Sequence, residues 1–177
     1  VYIENVCVNP TRDGAVRVLR AMGADMETVD MREAGGEPVC DIIVRSSSLT
    51  GCVIEGDIIP ALIDELPVLA VAAAFADGDT VIRGAKELRV KESDRIRAVV
   101  QGLRVMGADV DEYDDGMCVH GGRDLKGALI HCHDDHRIAM SFAVAALAAD
   151  GTTTLEGAEC VNISYPAFFS DLKRLMD

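Results

Sequence analysis

The sequence predicts an α/β fold of repeated units turned inside out, with apolar helices at the centre and sheets outside them. Two observations carry that prediction. "LRAMGAD" at 19–25 returns as "LRVMGAD" at 103–109, an offset of 84 residues, and "ADGDT" at 76–80 returns as "ADGTT" at 149–153, an offset of 73. Two matches in the same order mark a duplicated unit. In addition, "VLAVAAAFA" at 68–76 and "IAMSFAVAALAA" at 138–149 are apolar nearly all round. A surface helix keeps a polar stripe, so these two helices are expected to be buried on every side and packed closely through Ala.

The elements follow from periodicity. Residues 2–8, 80–85 and 152–157 read as strands, and each is followed by a helix, at 12–22, 93–106 and 167–176. The first two helices are expected to stop at Gly23 and Gly107, which suit a left-handed cap. Extended segments come next at 25–31, 40–45 and 51–55, and again at 109–114, 117–120 and 127–131. The apolar helices then close each full unit, at 64–77 and 135–149. The chain therefore reads as two βαβαβ-type units and an incomplete third.

Composition narrows the function. A length of 177 residues suits one domain with a real core, built from Ala, Val, Ile, Leu and Met because Trp is absent and aromatics are only 4%. A formal charge of −13 repels polyanions and argues against nucleic acid or an anionic membrane as partner, though a few Arg and Lys can still hold a small anion. The longest apolar run, Val68 to Ala76, is far too short to span a bilayer. Six scattered cysteines without a C-x-x-C pair read as reduced thiols in a cytosol. The chain opens directly in a strand, "VYIENVCVNP", so a piece of a larger protein is expected.

Chemistry is expected at three helix N-termini. In "IDELP", Asp64 as N-cap puts Pro67 in the first turn, where its missing N–H costs little. In "HDDHRIAM", Asp134 or Asp135 is the cap, followed by His136 and Arg137. In "KESDRI" (91–96), Ser93 is the expected cap of a helix that buries Ile96, Val99, Val100 and Leu103. Arg95 lies about 100° off that stripe and is expected to reach sideways. Such helix ends favour phosphate or carboxylate, and Arg95 and Arg137 add bidentate donors for the same anions. Asp64 or Glu92 could move protons. No metal site is expected in "HCHDDH" (131–136), because its histidines lack helical i, i+4 pairing. Lys86, Glu87 and Arg89 are expected to decorate a solvated edge.

"ELRVKESDRI", "DHRIAM", "IPALIDELPVLAVAAAFADGDT", "NVCVNPTRDG" and "SYPAFFSDL" together resemble the 5-enolpyruvylshikimate-3-phosphate synthase family, from about residue 2 to residue 172. The resemblance implies the C-terminal domain, spanning 1–177, of a two-domain enzyme, each domain built of βαβαββ-type units with helices inside. It implies transfer of the carboxyvinyl group of phosphoenolpyruvate to the 5-hydroxyl of shikimate 3-phosphate by addition and elimination, with no metal or organic cofactor. Asp64 then matches the general base at the shikimate hydroxyl and Lys91 the lysine beside that substrate. Glu92 matches the acid at the enolpyruvyl methylene, and Arg95 and Arg137 match the arginines that grip phosphoenolpyruvate. His136 matches the neighbouring histidine. Some members carry a lysine where this chain has Ile163, so one phosphate contact is absent or moved. The family's N-terminal domain and most shikimate-phosphate contacts are not in these residues, so the chain alone is expected to be inactive. Two other readings are the sister transferase acting on a UDP-amino sugar and an inert anion-binding domain.

Overall fold

A computed structural model describes residues 1–176; Asp177, the last residue of the expected domain, lies outside the described residues. Strands β1 (Tyr2–Cys7), β2 (Asp25–Ala34) and β3 (Glu37–Arg45) form an antiparallel sheet in the order β1-β3-β2. The second sheet takes β4 (Val53–Ile54), β5 (Asp79–Ile82), β6 (Asp109–Tyr113) and β7 (Gly116–His120) in the order β4-β5-β7-β6, with only the β4–β5 pair parallel. A third, two-stranded sheet pairs β8 (Leu129–His131) with β9 (Thr154–Glu156) in parallel. The helices are α1 (Gly14–Ala21), α2 (Leu66–Phe75), α3 (Arg95–Val105), α4 (His136–Ala148) and α5 (Phe168–Arg174). Each expected strand and helix is present with shifted ends. Three 3-10 segments, Gly56–Ala61, Lys86–Val90 and Ala158–Ile163, were not expected. Such short runs carry too few turns for a periodic pattern to show.

The sequence repeats are geometric repeats. Gly23 and Gly107 take φ of 95° and 94°, and the amides of Ala24 and Ala108 reach back to the carbonyls of Leu19 and Leu103. That is the same helix stop twice. The ADG turns also recur: Asp77 bridges Thr50, and Asp150 bridges Lys126, both in parallel. Gly51 and Gly127 donate to the carbonyls of Asp77 and Asp150, each at 2.7 Å. A Cβ on Gly51 would sit 2.1 Å from the Asp79 carbonyl oxygen, and one on Gly127 2.3 Å from that of Thr152. Close approach of two backbones therefore requires glycine at both crossings.

The main core lies between the helices and the inner face of the second sheet. It gathers Leu66, Leu69 and Ala70 of α2, Ile96, Val99 and Leu103 of α3, Ile138 and Phe142 of α4, and Ile82, Val110 and Val119 from the sheet. Gly102 lets the ring of Phe142 lie against α3, where a Cβ would come within 2.2 Å of it. One expectation fails here. The apolar helices are not sheathed on every side: Phe75 of α2 and Val144 and Leu147 of α4 are exposed. An all-round apolar pattern sets which residues tolerate burial, while the number of neighbouring elements sets which are covered. The first sheet stands apart, with its own buried Val39, Cys40 and Ile42 outside the main cluster. Among the described residues, no helix is long and apolar enough to cross a membrane.

Candidate active site

Asp64 is the centre of the predicted group. It lies in the turn between Gly56–Ala61 and α2, and its carboxylate is 38% exposed. Its Oδ1 accepts from Nη1 of Arg95 at 3.0 Å and lies 3.9 Å from Nζ of Lys91. Its Oδ2 lies 3.5 Å from Nη2 of Arg137, whose Nη1 donates to the Asp64 carbonyl at 3.0 Å. Three cations from three segments thus meet one carboxylate. The expected capping role is a correction. The helix begins at Leu66, and Glu65, its N-cap, makes no side-chain cap bond. Pro67 still falls in the first turn, and Asp64, one residue further out, turns toward the cations instead of toward α2.

Arg95 is placed differently from the expectation of a side chain free to reach sideways. It is 1% exposed and almost saturated. Its Nε donates to Asp135 at 2.8 Å, and its Nη2 donates to Glu92 at 2.5 Å and to Asp135 at 3.3 Å. Asp135 is itself 0% exposed. Burial alone would push the Asp135 carboxyl up, but hydrogen bonds and charge from Arg95, a bond from Ser93 and the Arg137 N–H outweigh it and hold it below the usual range. Burial likewise opposes the Arg95 charge, and Asp135 overrides it, so the guanidinium is held above its ordinary value. Helical spacing set the direction of Arg95 from α3, but Asp135 arrives from 40 residues on, which no local pattern shows.

The helix ends are also corrected. Asp94, not Ser93, caps α3 by accepting from the Arg97 N–H at 3.0 Å, and Ser93 donates to Asp135 at 2.9 Å. Asp135 caps α4 through the Arg137 N–H. Two of the three N-termini therefore already spend backbone donors on their own carboxylates, leaving side-chain cations as the main anion holders. Lys91, a quarter exposed, pairs with Glu87 at 2.5 Å, and that hydrogen bond first, against the opposing effect of burial, raises its affinity for a proton. Glu92 is half exposed beside Arg95, and Glu65 adds a contact to Arg137 at 3.3 Å. His136, the first residue of α4, is half-buried, and among the described residues it has no hydrogen-bonded side-chain partner.

Two cavities meet at Asp64 and Arg137. One, about 190 Å³ and polar, also touches Thr11, Arg12, Pro60 and Glu65; the other, about 200 Å³ and more apolar, touches Val68, Met140 and Phe168. Arg12 was not singled out from the sequence, although "NPTRDG" contains it. Gly14 presses that turn against Ala61 and Leu62 and so brings Arg12 to the cleft. A larger cavity of about 320 Å³ between α3 and β8 holds none of the predicted residues. Ile163, at the position of the expected lysine, is 84% exposed. Arg89 is not a solvated ornament. It bonds Asp94, Glu112 and the carbonyls of Tyr113 and Asp114, tying the segment before α3 to the β6–β7 hairpin.

Central helices capped by sheets, with cations and carboxylates gathered at the helix starts, define an enolpyruvyl transferase fold. The enolpyruvyl transferase NikO of Streptomyces tendae shares that fold, with a TM-score of 0.72 at 22% identity over 98% of this chain and 38% of its own. The chain belongs to the EPSP synthase (3-phosphoshikimate 1-carboxyvinyltransferase) family, whose model matches residues 1–172. The EPSP synthase of Acinetobacter baumannii superimposes with a TM-score of 0.95 at 44% identity, covering 98% of this chain and 41% of that one. The 3-phosphoshikimate 1-carboxyvinyltransferase of Synechococcus sp. (strain JA-3-3Ab) is 59% identical over the whole chain, and that of Roseiflexus castenholzii 58% over 97% of it. Each match spans 40% of the relative's own length.

Proposed function

We propose that this chain supplies one wall of an enzyme that transfers the carboxyvinyl group of phosphoenolpyruvate to the 5-hydroxyl of shikimate 3-phosphate. The products are 5-enolpyruvylshikimate 3-phosphate and phosphate. The observation that carries the reading is the meeting of Lys91, Arg95 and Arg137 around Asp64 in a chain of this family. In this reading residues 1–177 are the C-terminal domain, holding two full repeat units and part of a third. An N-terminal domain of the same enzyme provides the opposite wall and most of the shikimate-phosphate contacts. The span of 40% of the relatives' length supports that division, as six unpaired thiols support a cytosolic setting.

The chemistry divides among the named side chains. Arg137 and Arg95 neutralise the carboxylate and phosphate of phosphoenolpyruvate, and Lys91 holds the acceptor beside Asp64. Asp64 takes the hydroxyl proton as the oxygen attacks C2, while Glu92 gives a proton to the methylene carbon. The resulting tetrahedral adduct then loses phosphate as Glu92 takes a methylene proton back. His136, adjoining Arg137 at the start of α4, assists proton transfer near the leaving group. Substrate anions replace carboxylates as partners of the cations, so Glu65, Glu87 and Glu92 are the groups that must give way.

The full-length protein carrying Asp64→Asn tests the assignment. The shape is kept and the base deleted, so shikimate 3-phosphate should bind nearly as before while turnover falls roughly 10²–10⁴-fold. Undiminished turnover would remove Asp64 from this role. The isolated chain should show no transfer, because orientation by both walls supplies much of such a rate.

A further inference from the structure

The outer face of the second sheet carries a group of ligand-type side chains that the transfer reaction does not use: Asp79 and His120 are open to solvent, while Cys118 beside them is only 4% exposed. Cys118 and His120 stand two residues apart on β7, so both point to the same face, opposite the core residues Met117 and Val119. Register places Asp79 of β5 across from His120 on one side. On the other side, β6 sets Asp109 across from His120 and Asp111 across from Cys118. Nδ1 of His120 lies 2.8 Å from Oδ1 of Asp79 and 4.0 Å from Sγ of Cys118, while Nε2 lies 3.2 Å from Oδ2 of Asp111. One ligand atom from each of Asp79, Cys118 and His120 falls within 4.8 Å of the others.

We propose that Asp79, Cys118 and His120 form a three-ligand site for a borderline-soft divalent cation of the zinc class, with water as the fourth ligand. One thiolate, one imidazole and one carboxylate are the donors such an ion takes, and the exposed Asp79 side chain is free to adjust to it. Asp111 is the positioning residue. By accepting from Nε2–H it turns Nδ1 toward the ion, the carboxylate–imidazole–metal arrangement common to such sites. Without metal, the ring stands between the two carboxylates, Nδ1 facing Asp79 and Nε2 facing Asp111. Metal binding sends the Cys118 thiol proton, and any proton on Nδ1, to solvent, and the ion takes their place. Asp109 adds negative charge from β6, against the guanidinium groups of Arg83, stacked over Tyr113 at 3.6 Å, and of Arg123, 3.9 Å from the Asp109 carboxylate. The bound ion would link β5 and β7 on the outside of the sheet. Sequence spacing does not reveal this site, because its ligands come from strands 39 residues apart.

Cobalt(II) is the probe, since a thiolate ligand produces a charge-transfer band in the near ultraviolet and a tetrahedral site produces intense visible bands. One equivalent of Co²⁺ added to the purified full chain should produce both, and Zn²⁺ should bleach them. Cys118→Ser should abolish the charge-transfer band, and Asp111→Asn should weaken binding about 10–100-fold with the band retained. His120→Gln changes a partly exposed ring and leaves the core intact, so it carries the test should Cys118→Ser fail to fold. The proposal is overturned if wild type shows no thiolate band, or if the band survives His120→Gln. Loss of the band in a His131→Gln/His133→Gln variant instead would place the metal elsewhere and equally overturn it.

Discussion

Removing Asp135 tests the buried ion pair on which the candidate site is built. Arg95 is 1% and Asp135 0% exposed, and two hydrogen bonds join them at 2.8 and 3.3 Å. Deleting one member of such a pair costs about 3–5 kcal/mol, because the other charge stays buried without its partner. The same carboxylate caps α4, and loss of an N-cap adds about 1 kcal/mol. Arg95 keeps Asp64 and Glu92, which places Asp135→Ala near the lower end, about 3–4 kcal/mol. For a chain of this size that is about 6–16 °C in Tm. Asp135→Asn keeps a good cap and a neutral acceptor, so it should lose about half as much. Urea titrations of the three proteins, with the slope m unchanged, provide the measurement. A loss under about 1 kcal/mol for Asp135→Ala would refute the reasoning, since it would mean that Arg95 finds equal compensation elsewhere.

Arg137→Ala in the full-length protein should weaken phosphoenolpyruvate binding about ten- to a hundredfold, as charge-assisted bonds worth about 1.5–3 kcal/mol are lost. Unchanged affinity by calorimetry would exclude Arg137 as an anchor. Asp41 offers a pH test: bonds first from the Tyr2 hydroxyl, then from the Asn5 N–H and Arg32, hold its carboxyl at about 2. Its folded value lies below the unfolded one of about 3.9, so its contribution is complete above about pH 4 and lost as pH falls toward 2. Asp41→Asn should flatten the decline of the urea midpoint across that window, and an identical decline in both proteins would remove Asp41 from the account.

Most of the architecture was legible in the chain. A repeated heptapeptide, a repeated pentapeptide, periodicity and two all-apolar helices located the strands and α-helices of the described residues, because each depends on neighbours a few residues away. The 3-10 segments were missed for want of length, and the cover over α4 could not be read, since exposure of Val144 and Leu147 depends on which elements pack beside them. In the candidate site, the residue types at 64, 91–95 and 136–137 pointed to anion chemistry before any coordinates.

Partnership was decided elsewhere. Local spacing placed Arg95 on the correct side of its helix, but only the packing of α3 against α4 buries it on Asp135, and only the turn after Gly56–Ala61 brings Asp64 within reach. Ser93 and Asp94 are equally good caps by composition; the nearness of Asp135 draws Ser93 away and leaves the N-terminus to Asp94. Arg12 and the Asp79–Cys118–His120 group were silent in the sequence for the same reason. Hydrophobic periodicity is a property of contiguous residues, whereas a site is set by distances between segments tens of residues apart, which exist only once the core has closed.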